Sequence, residues 1–211
     1  MLKLDLIKQW ENRLQLRKEE IQAFKDIQRE DFLPKEQRLL AYQDTPLPIL
    51  RGKTISQPTT VMFMTSILDI QPNHVVLEVG SGSGYQTAIL SKLVGKGIVH
   101  STEVIPELVQ FAKKNIKNAK IQNVKIYEED GSKGLPHEAP FDRIIITAAC
   151  KEFPKELLQQ LKPGGIIVGP IGSKEEQEMV KGIKDKKEKL ELHFLGQFIF
   201  SPLYGKYGFT I

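Results

Sequence analysis

The sequence predicts an α/β protein built on a doubly wound, mostly parallel seven-stranded sheet. An N-terminal helical cap precedes the sheet and an antiparallel C-terminal strand finishes it. Three observations carry this reading. From residue 75 onward, short β-branched runs alternate with segments of helical period, the pattern of parallel strands linked by crossover helices. One run, Val75–Val79, stops at a turn with glycine at alternate positions, Gly80-Ser81-Gly82-Ser83-Gly84. Before it, apolar residues recur at helical spacing, interrupted by a Pro- and Gly-rich crossing.

Each element can be placed in order. Residues 4–29 carry Leu6, Ile7, Trp10, Leu14, Ile21, Phe24 and Ile27 at helical intervals, with Lys, Glu, Gln and Arg between them. This predicts helix across the segment, with Trp10 as a packing residue. Pro34 separates a short helical piece, Lys35–Tyr42, and Asp44–Lys53 reads as an irregular crossing loop. Helix resumes near Pro58, which suits a first helical turn where a missing N–H costs nothing. Strands are predicted at Val75–Val79, Gly97–Thr102, Val124–Glu128, Arg143–Thr147 and Ile166–Pro170. Helices fit Tyr85–Val94, Pro106–Asn118 and Pro154–Leu161. Leu190–Leu195 and Gln197–Phe200 are close enough in sequence to pair antiparallel and complete the sheet.

Bulk properties narrow the function classes. With 211 residues, 27% charged and 40% hydrophobic, the chain is long enough for one core and ordinary for a soluble globular domain. Its apolar runs are too short to span a bilayer, and Met1–Lys8 shows no signal core. A single cysteine, Cys150, excludes an internal disulfide and a Cys-rich metal site, which points to the reducing cytoplasm. His74, His100, His137 and His193 have no metal-ligand spacing, so no metal is expected. Much of the net charge of +4 sits in Lys181–Lys189, read as a solvated hairpin or loop. No aromatic residue interleaves there as single-strand binding would favour.

Open α/β sheets bind ligands at the carboxyl ends of their strands. The glycine turn after the first strand lets backbone approach a nucleotide-like ligand closely. Tyr85 follows Gly84, so the spacing is G-x-G-x-G after Glu78, not the dinucleotide G-x-G-x-x-G. This resembles the first motif of S-adenosylmethionine-dependent methyltransferases; another nucleotide, or a purely structural turn, stays open. Glu103 follows at roughly the 20-residue offset at which an acid accepts from ribose hydroxyls, or it is a cap or salt bridge before the next helix. Asp130-Gly131 suits an adenine edge, or is a simple Asp-Gly turn. Thr147-Ala-Ala-Cys leaves space after the fourth strand, and Cys150 reads as a small buried residue. Ser56, in the polar loop before Pro58, is either a site hydroxyl or a helix cap.

An ordered series of motifs then resembles the protein-L-isoaspartate O-methyltransferases along almost the whole chain. It comprises Arg29-Glu-Asp-Phe-Leu-Pro, Ala41-Tyr-Gln-Asp-Thr-Pro-Leu-Pro-Ile, Gly52-Lys-Thr-Ile-Ser-Gln-Pro and the glycine turn. It continues through Ile105-Pro-Glu-Leu, Asp130-Gly-Ser, Glu138-Ala-Pro-Phe-Asp, Thr147-Ala-Ala, Leu161-Lys-Pro-Gly-Gly and Phe200-Ser-Pro-Leu-Tyr-Gly. The resemblance implies a Rossmann-like class I methyltransferase fold in one domain, residues 1–70 forming the cap and substrate loop and 71–211 the cofactor-binding sheet and C-terminal strands. It implies methyl transfer from S-adenosyl-L-methionine, leaving S-adenosyl-L-homocysteine, to the α-carboxylate of L-isoaspartyl residues in age-damaged proteins and peptides. It makes Ser56 the active-site hydroxyl. Glu78 with Gly80, Ser81, Gly82, Ser83, Gly84 and Tyr85 would hold the methionine part, Glu103 and Val104 the ribose side, and Asp130 with Gly131 the adenine. Thr54, Ile55, Ser201 and Leu203 would grip the substrate backbone. A cytoplasmic monomer without nucleic-acid or membrane partners is implied. Four positions depart from the family pattern: Lys53 for Gln, Thr59 for His or Tyr, Val104 for Arg, and Ser201 for Val. Two other readings share the fold or the loop. A nucleic-acid methyltransferase would want a Pro-Pro-aromatic motif where Thr147-Ala-Ala-Cys stands, and a non-catalytic binder need not retain the glycine turn, Glu103 and Asp130.

Overall fold

In the computed structural model, which describes residues 3–11 and 13–209, the N-terminal segment forms two helices rather than one. They are α1 (Lys3–Trp10) and α2 (Lys18–Asp26). Trp10 and Phe24 meet edge to face with ring centroids 4.6 Å apart. A continuous helix rising about 1.5 Å per residue would hold them roughly 21 Å apart. The same apolar spacing therefore serves a folded-back pair. The start of α2 is fixed by Glu20, whose carboxylate accepts from the Arg17 N–H at 2.8 Å. Lys35–Leu40 is a 3-10 turn, a tighter and shorter form of the helix expected there.

The crossing loop is more ordered than its Pro and Gly content suggests. Within it β1 (Leu47–Pro48) pairs antiparallel with β2 (Thr54–Ile55), and α3 (Pro58–Leu68) follows. Next in the chain come β3 (Val75–Val79), α4 (Tyr85–Leu93), β4 (Ile98–Glu103), α5 (Pro106–Asn118), β5 (Val124–Glu128) and β6 (Phe141–Ile146). Then follow α6 (Lys155–Gln160), β7 (Leu161–Gly172), β8 (Gln177–Lys184) and β9 (Leu190–Phe198). Seven strands form one sheet in the order β5-β4-β3-β6-β7-β8-β9. The pairings from β5 through β7 are parallel; β8 runs antiparallel to both β7 and β9. The strand order turns back at β3, which lies between β4 and β6, so a ligand crevice belongs at its carboxyl end.

Two strand expectations are corrected. Leu190–Leu195 does not pair with Gln197–Phe200; residues 190–198 are one strand, paired with β8. β8 escapes sequence reading because its glutamates and lysines dilute the alternation, although Met179 and Val180 are buried. The lysine-rich stretch is indeed a hairpin, but Lys181–Lys184 belongs to β8. Asp185 holds the turn by accepting from the Lys187 and Lys189 N–H groups at 2.7 and 2.9 Å. Lys184 is buried, donating to the carbonyls of Leu158 and Leu161.

The sheet separates two apolar clusters. One joins Leu6, Trp10, Phe24 and Met62 of the cap helices to Val76, Ala88 and Val99. The other packs Leu77, Val79, Phe141, Ile144 and Ile146 against Leu157 of α6. Alternate residues of β3 thus serve opposite faces. Glu78 shares the face of Val76, which places a carboxyl inside the core directly beneath the glycine turn.

Candidate active site

The carboxyl end of β3 opens into a cleft of about 860 Å³, within the size range of small-ligand sites. Its floor is Val79–Ser83 with Tyr85, Thr102–Ile105, Gly131 and Thr147. Its mouth is formed by Lys53–Gln57 on one side and Phe198–Tyr204 on the other. Ser56, Thr54, Ile55, Ser201, Leu203, Gly80, Ser81, Gly82, Ser83, Tyr85, Glu103, Val104 and Gly131 therefore share one cavity. Glu78, Gly84 and Asp130 stand behind its wall.

At Gly80 in the turn, and at Gly131 after β5, contacts leave no room for a side chain. Gly80 has φ +100°, and a Cβ there would lie 2.5 Å from Thr147 Oγ1. That hydroxyl donates to the Gly80 carbonyl at 2.6 Å, tying the turn to the end of β6. At Gly131 a Cβ would run into Thr102 Oγ1 and lie 2.7 Å from Val79 Cγ1. Backbone is thus laid bare to the cleft at both places. Asn115 of α5 supports the turn from behind, donating to the Ser83 carbonyl at 2.9 Å.

Glu78 is fully buried. Its Oε2 accepts from Ser101 at 2.6 Å and from Thr87, while Oε1 has no partner among the described residues. Ser101 also meets the Ser81 hydroxyl at 2.6 Å, so a hydroxyl chain links the acid to the turn. Burial pushes the Glu78 carboxyl up to about 8, against the two hydroxyl bonds, which favour the anion. The folded state keeps a proton that the unfolded chain releases near pH 4.5, so this contribution is present at low pH and is lost as pH rises towards 8. Thermal unfolding of wild type and Glu78→Gln between pH 5 and 8 checks it. The wild type is expected to lose stability relative to the variant, by at most about 1.4 kcal/mol per pH unit.

Glu103 takes the cap of its two sequence readings and also ties the glycine turn. Oε1 accepts from the N–H groups of Val104 and Ile105 at 2.9 and 3.1 Å, a cap at the entry to α5. Oε2 accepts from the Gly82 N–H at 3.0 Å and binds the glycine turn to the end of β4. Of about four acceptor positions on a carboxylate, three are taken. Asp130 behaves as the turn reading anticipates. Oδ1 accepts from Ser132 N and Oγ at 3.0 and 2.6 Å, and Oδ2 from Lys206 N at 2.8 Å. Partial burial opposes ionisation of Asp130, but these bonds outweigh it and hold the carboxyl below the usual range.

Ser56 does not cap α3. The N-cap is Gln57, with no side-chain cap bond, and the Ser56 hydroxyl makes no hydrogen bond among the described residues. The capping task falls to Asp44, which sequence reading missed. Its Oδ1 accepts from the Thr59 N–H at 2.9 Å and its Oδ2 from the Thr59 hydroxyl at 2.6 Å. Trp10 Nε1 donates to the same Thr59 oxygen at 2.7 Å, so Trp10 anchors the loop as well as packing. Arg29 is the second residue missed. It is wholly buried and donates to the carbonyls of Ala41, Thr45 and Ser56, the last at 2.9 Å. Burial pulls Arg29 down to about 10, still protonated at pH 7. A charged donor therefore pins the backbone of Ser56 from below, leaving its hydroxyl free at the mouth. Neither role has a local sequence signal, because the partners lie 15 and 27 residues away.

Opposite Ser56, the segment after β9 is held to the loop after β6. The Ala149 N–H donates to the Ser201 carbonyl at 2.8 Å and the Leu203 N–H to the Ala149 carbonyl at 2.7 Å. Among the described residues no group of three or more His, Cys, Asp or Glu is placed to hold a metal ion. No described helix is long and apolar enough to cross a membrane.

With that geometry in place, known proteins can be compared. The model of the protein-L-isoaspartate(D-aspartate) O-methyltransferase family matches residues 2–208. The chain belongs to this family. A protein-L-isoaspartate O-methyltransferase of Methanosarcina mazei is 45% identical over 190 residues, covering 90% of this chain and 78% of the relative. Protein-L-isoaspartate O-methyltransferase 2 of Nitrosococcus oceani is 41% identical over 202 residues, covering 96% and 91%. A solved protein-L-isoaspartate O-methyltransferase superposes with TM-score 0.87 at 28% identity, over 98% of this chain and 67% of that one. A candidate isoaspartate methyltransferase of Plasmodium falciparum, crystallised with S-adenosyl-L-homocysteine, superposes with TM-score 0.79 at 26% identity, over 95% and 97%. These matches run nearly end to end and so take in the N-terminal helices and the loop before α3 as well as the sheet.

Proposed function

We propose that this chain moves a methyl group from S-adenosylmethionine to the α-carboxylate of L-isoaspartyl residues in damaged proteins and peptides. One observation carries the assignment of roles. Ser56 presents an unengaged hydroxyl into the same cleft that the glycine turn floors. The residues fit the donor: a bared turn above a buried acid with one oxygen unpartnered among the described residues, and Glu103 at the next strand end. We assign the methionine part to the turn and Glu78, and the ribose to Glu103 and the rim at Val104. We assign the adenine to Gly131, with Asp130 supporting it from behind.

S-adenosylmethionine supplies an electrophilic methyl on a sulfonium. The acceptor carboxylate is already ionised at pH 7, so no residue is required to remove a proton. This chain's part is positional. Ser56 donates its hydroxyl to the acceptor carboxylate and sets its direction; Arg29, through the Ser56 carbonyl, holds that hydroxyl in place. Thr54 and Ile55 on one wall, and Ser201 and Leu203 on the other, grip the peptide backbone. Apolar Val61, Met64 and Leu108 of the lining thin out water, which suits a step in which opposite charges neutralise. The methyl ester product then closes to a succinimide without further enzymatic help, the adjacent amide nitrogen attacking the ester carbonyl and methanol leaving.

We read the chain as a single methyltransferase domain, acting as a cytoplasmic monomer on protein and not on nucleic acid. A transfer assay with labelled donor tests the whole reading, using an isoaspartyl peptide, its normal aspartyl twin and RNA. Label is expected only on the isoaspartyl peptide. Equal labelling of both peptides, or label on RNA, would contradict it.

A further inference from the structure

Among the described residues that line the cleft mouth, Lys53 is a cation with no acid in ion-pair distance. Its ammonium sits 4.8 Å from the centre of the Tyr204 ring, across the opening between the substrate loop and the segment after β9. Both residues line the cleft, and Lys53 is half-buried there. Its backbone is fixed on both sides: the Lys53 N–H donates to the Leu50 carbonyl at 3.1 Å, and its carbonyl accepts from the Ile49 N–H at 2.8 Å. The Tyr204 side is fixed too, because the Leu203 N–H donates to the Ala149 carbonyl and the Lys206 N–H to Asp130. Among the described residues no carboxylate lies within ion-pair distance of Lys53. The acids that line the cleft, Glu103, Glu175 and Glu176, are not among its contacts. A ring face holds a cation through its quadrupole but leaves the charge uncompensated.

We propose that Lys53 is a specificity residue that reads an acidic side chain in the damaged peptide, close in sequence to the isoaspartyl residue. This rests on the isoaspartyl reading of the same cleft. Lys53 stands three positions before Ser56, on the loop that carries β2. An extended chain spans at most about 3.3–3.6 Å per residue, so the two side chains address points within roughly 10 Å along a bound peptide. With the isoaspartyl carboxylate at Ser56, the acid that meets Lys53 belongs to a residue one to three positions away. The fixed ammonium gives this chain a preference that an uncharged amide does not.

The test uses isoaspartyl peptides of one length in which each of the three positions on either side carries Glu or Gln, one position at a time. KM and kcat are measured for wild type, Lys53→Gln and Lys53→Glu. For wild type, at least one Glu peptide is expected to show a KM roughly threefold to fivefold below its Gln twin, the scale of a half-exposed ion pair. The difference should shrink at high salt. It should vanish in Lys53→Gln and invert in Lys53→Glu. Equal or higher KM for the Glu peptide at all six positions would overturn the proposal. So would a preference that survives Lys53→Glu. The all-Gln reference peptide separates the two levels: if wild type does not methylate it, the isoaspartyl reading itself fails, whereas methylation without a charge preference overturns only the role of Lys53.

Discussion

Ser56→Ala is expected to lower kcat on an isoaspartyl peptide about 100-fold, the cost of losing orientation in a reaction driven by positioning. The same variant should bind S-adenosylhomocysteine with nearly wild-type affinity, because the side of the cleft that we assign to the cofactor is built from β3, β4 and the glycine turn. It should also unfold at nearly the wild-type temperature. Gln57 is the N-cap of α3, and Asp44 satisfies the Thr59 N–H, so the Ser56 hydroxyl contributes no cap. Steady-state kinetics with thermal unfolding check all three statements. A stability loss with turnover intact would return Ser56 to a structural role.

Glu103→Ala carries the opposite signature. It removes the acceptor for the Gly82, Val104 and Ile105 N–H groups and, on the proposed reading, for the ribose hydroxyls. A hydrogen bond to a charged group is worth about 1.5–3 kcal/mol, so losing the ribose bond that the open acceptor position can take weakens cofactor binding by roughly tenfold to 100-fold. Calorimetric titration with S-adenosylhomocysteine measures this directly. Unchanged affinity would refute the ribose assignment. Peptide turnover at saturating cofactor should recover far more in Glu103→Ala than in Ser56→Ala, since the two residues serve different ligands.

How far the sequence could be read depended on the range of the interactions that decide each element. The central strands and the glycine turn were legible because period and turn chemistry are local: β3 runs Val75–Val79 as anticipated, and α5 runs Pro106–Asn118. Period alone cannot show that the N-terminal helical pattern folds back into two helices; contact between Trp10 and Phe24 decides it. β8 was hidden because its outward residues are charged and Gly182 interrupts the run, while pairing to both neighbours supplies its stability.

The site shows the same division. Its residues at strand ends could be found from position alone. What could not be read is which partner each side chain chooses. Ser56 looked equally suited to capping until Asp44, 15 residues from Thr59, took that task. Asp130 has the chemistry for an adenine amine, yet its two oxygens hold Ser132 and the backbone of Lys206. Arg29 belonged to a recognisable motif, but only the fold shows a buried guanidinium gathering three carbonyls, one of them that of Ser56.

The most direct measurement is a crystal structure of the chain with S-adenosylhomocysteine and an isoaspartyl peptide together. The cofactor is expected along Gly80–Gly84 with its ribose hydroxyls on Glu103, and the isoaspartyl α-carboxylate within hydrogen-bond distance of the Ser56 hydroxyl. A cofactor lodged elsewhere, or a peptide whose acid lies away from Ser56, would contradict the idea that one cleft brings donor and damaged residue face to face.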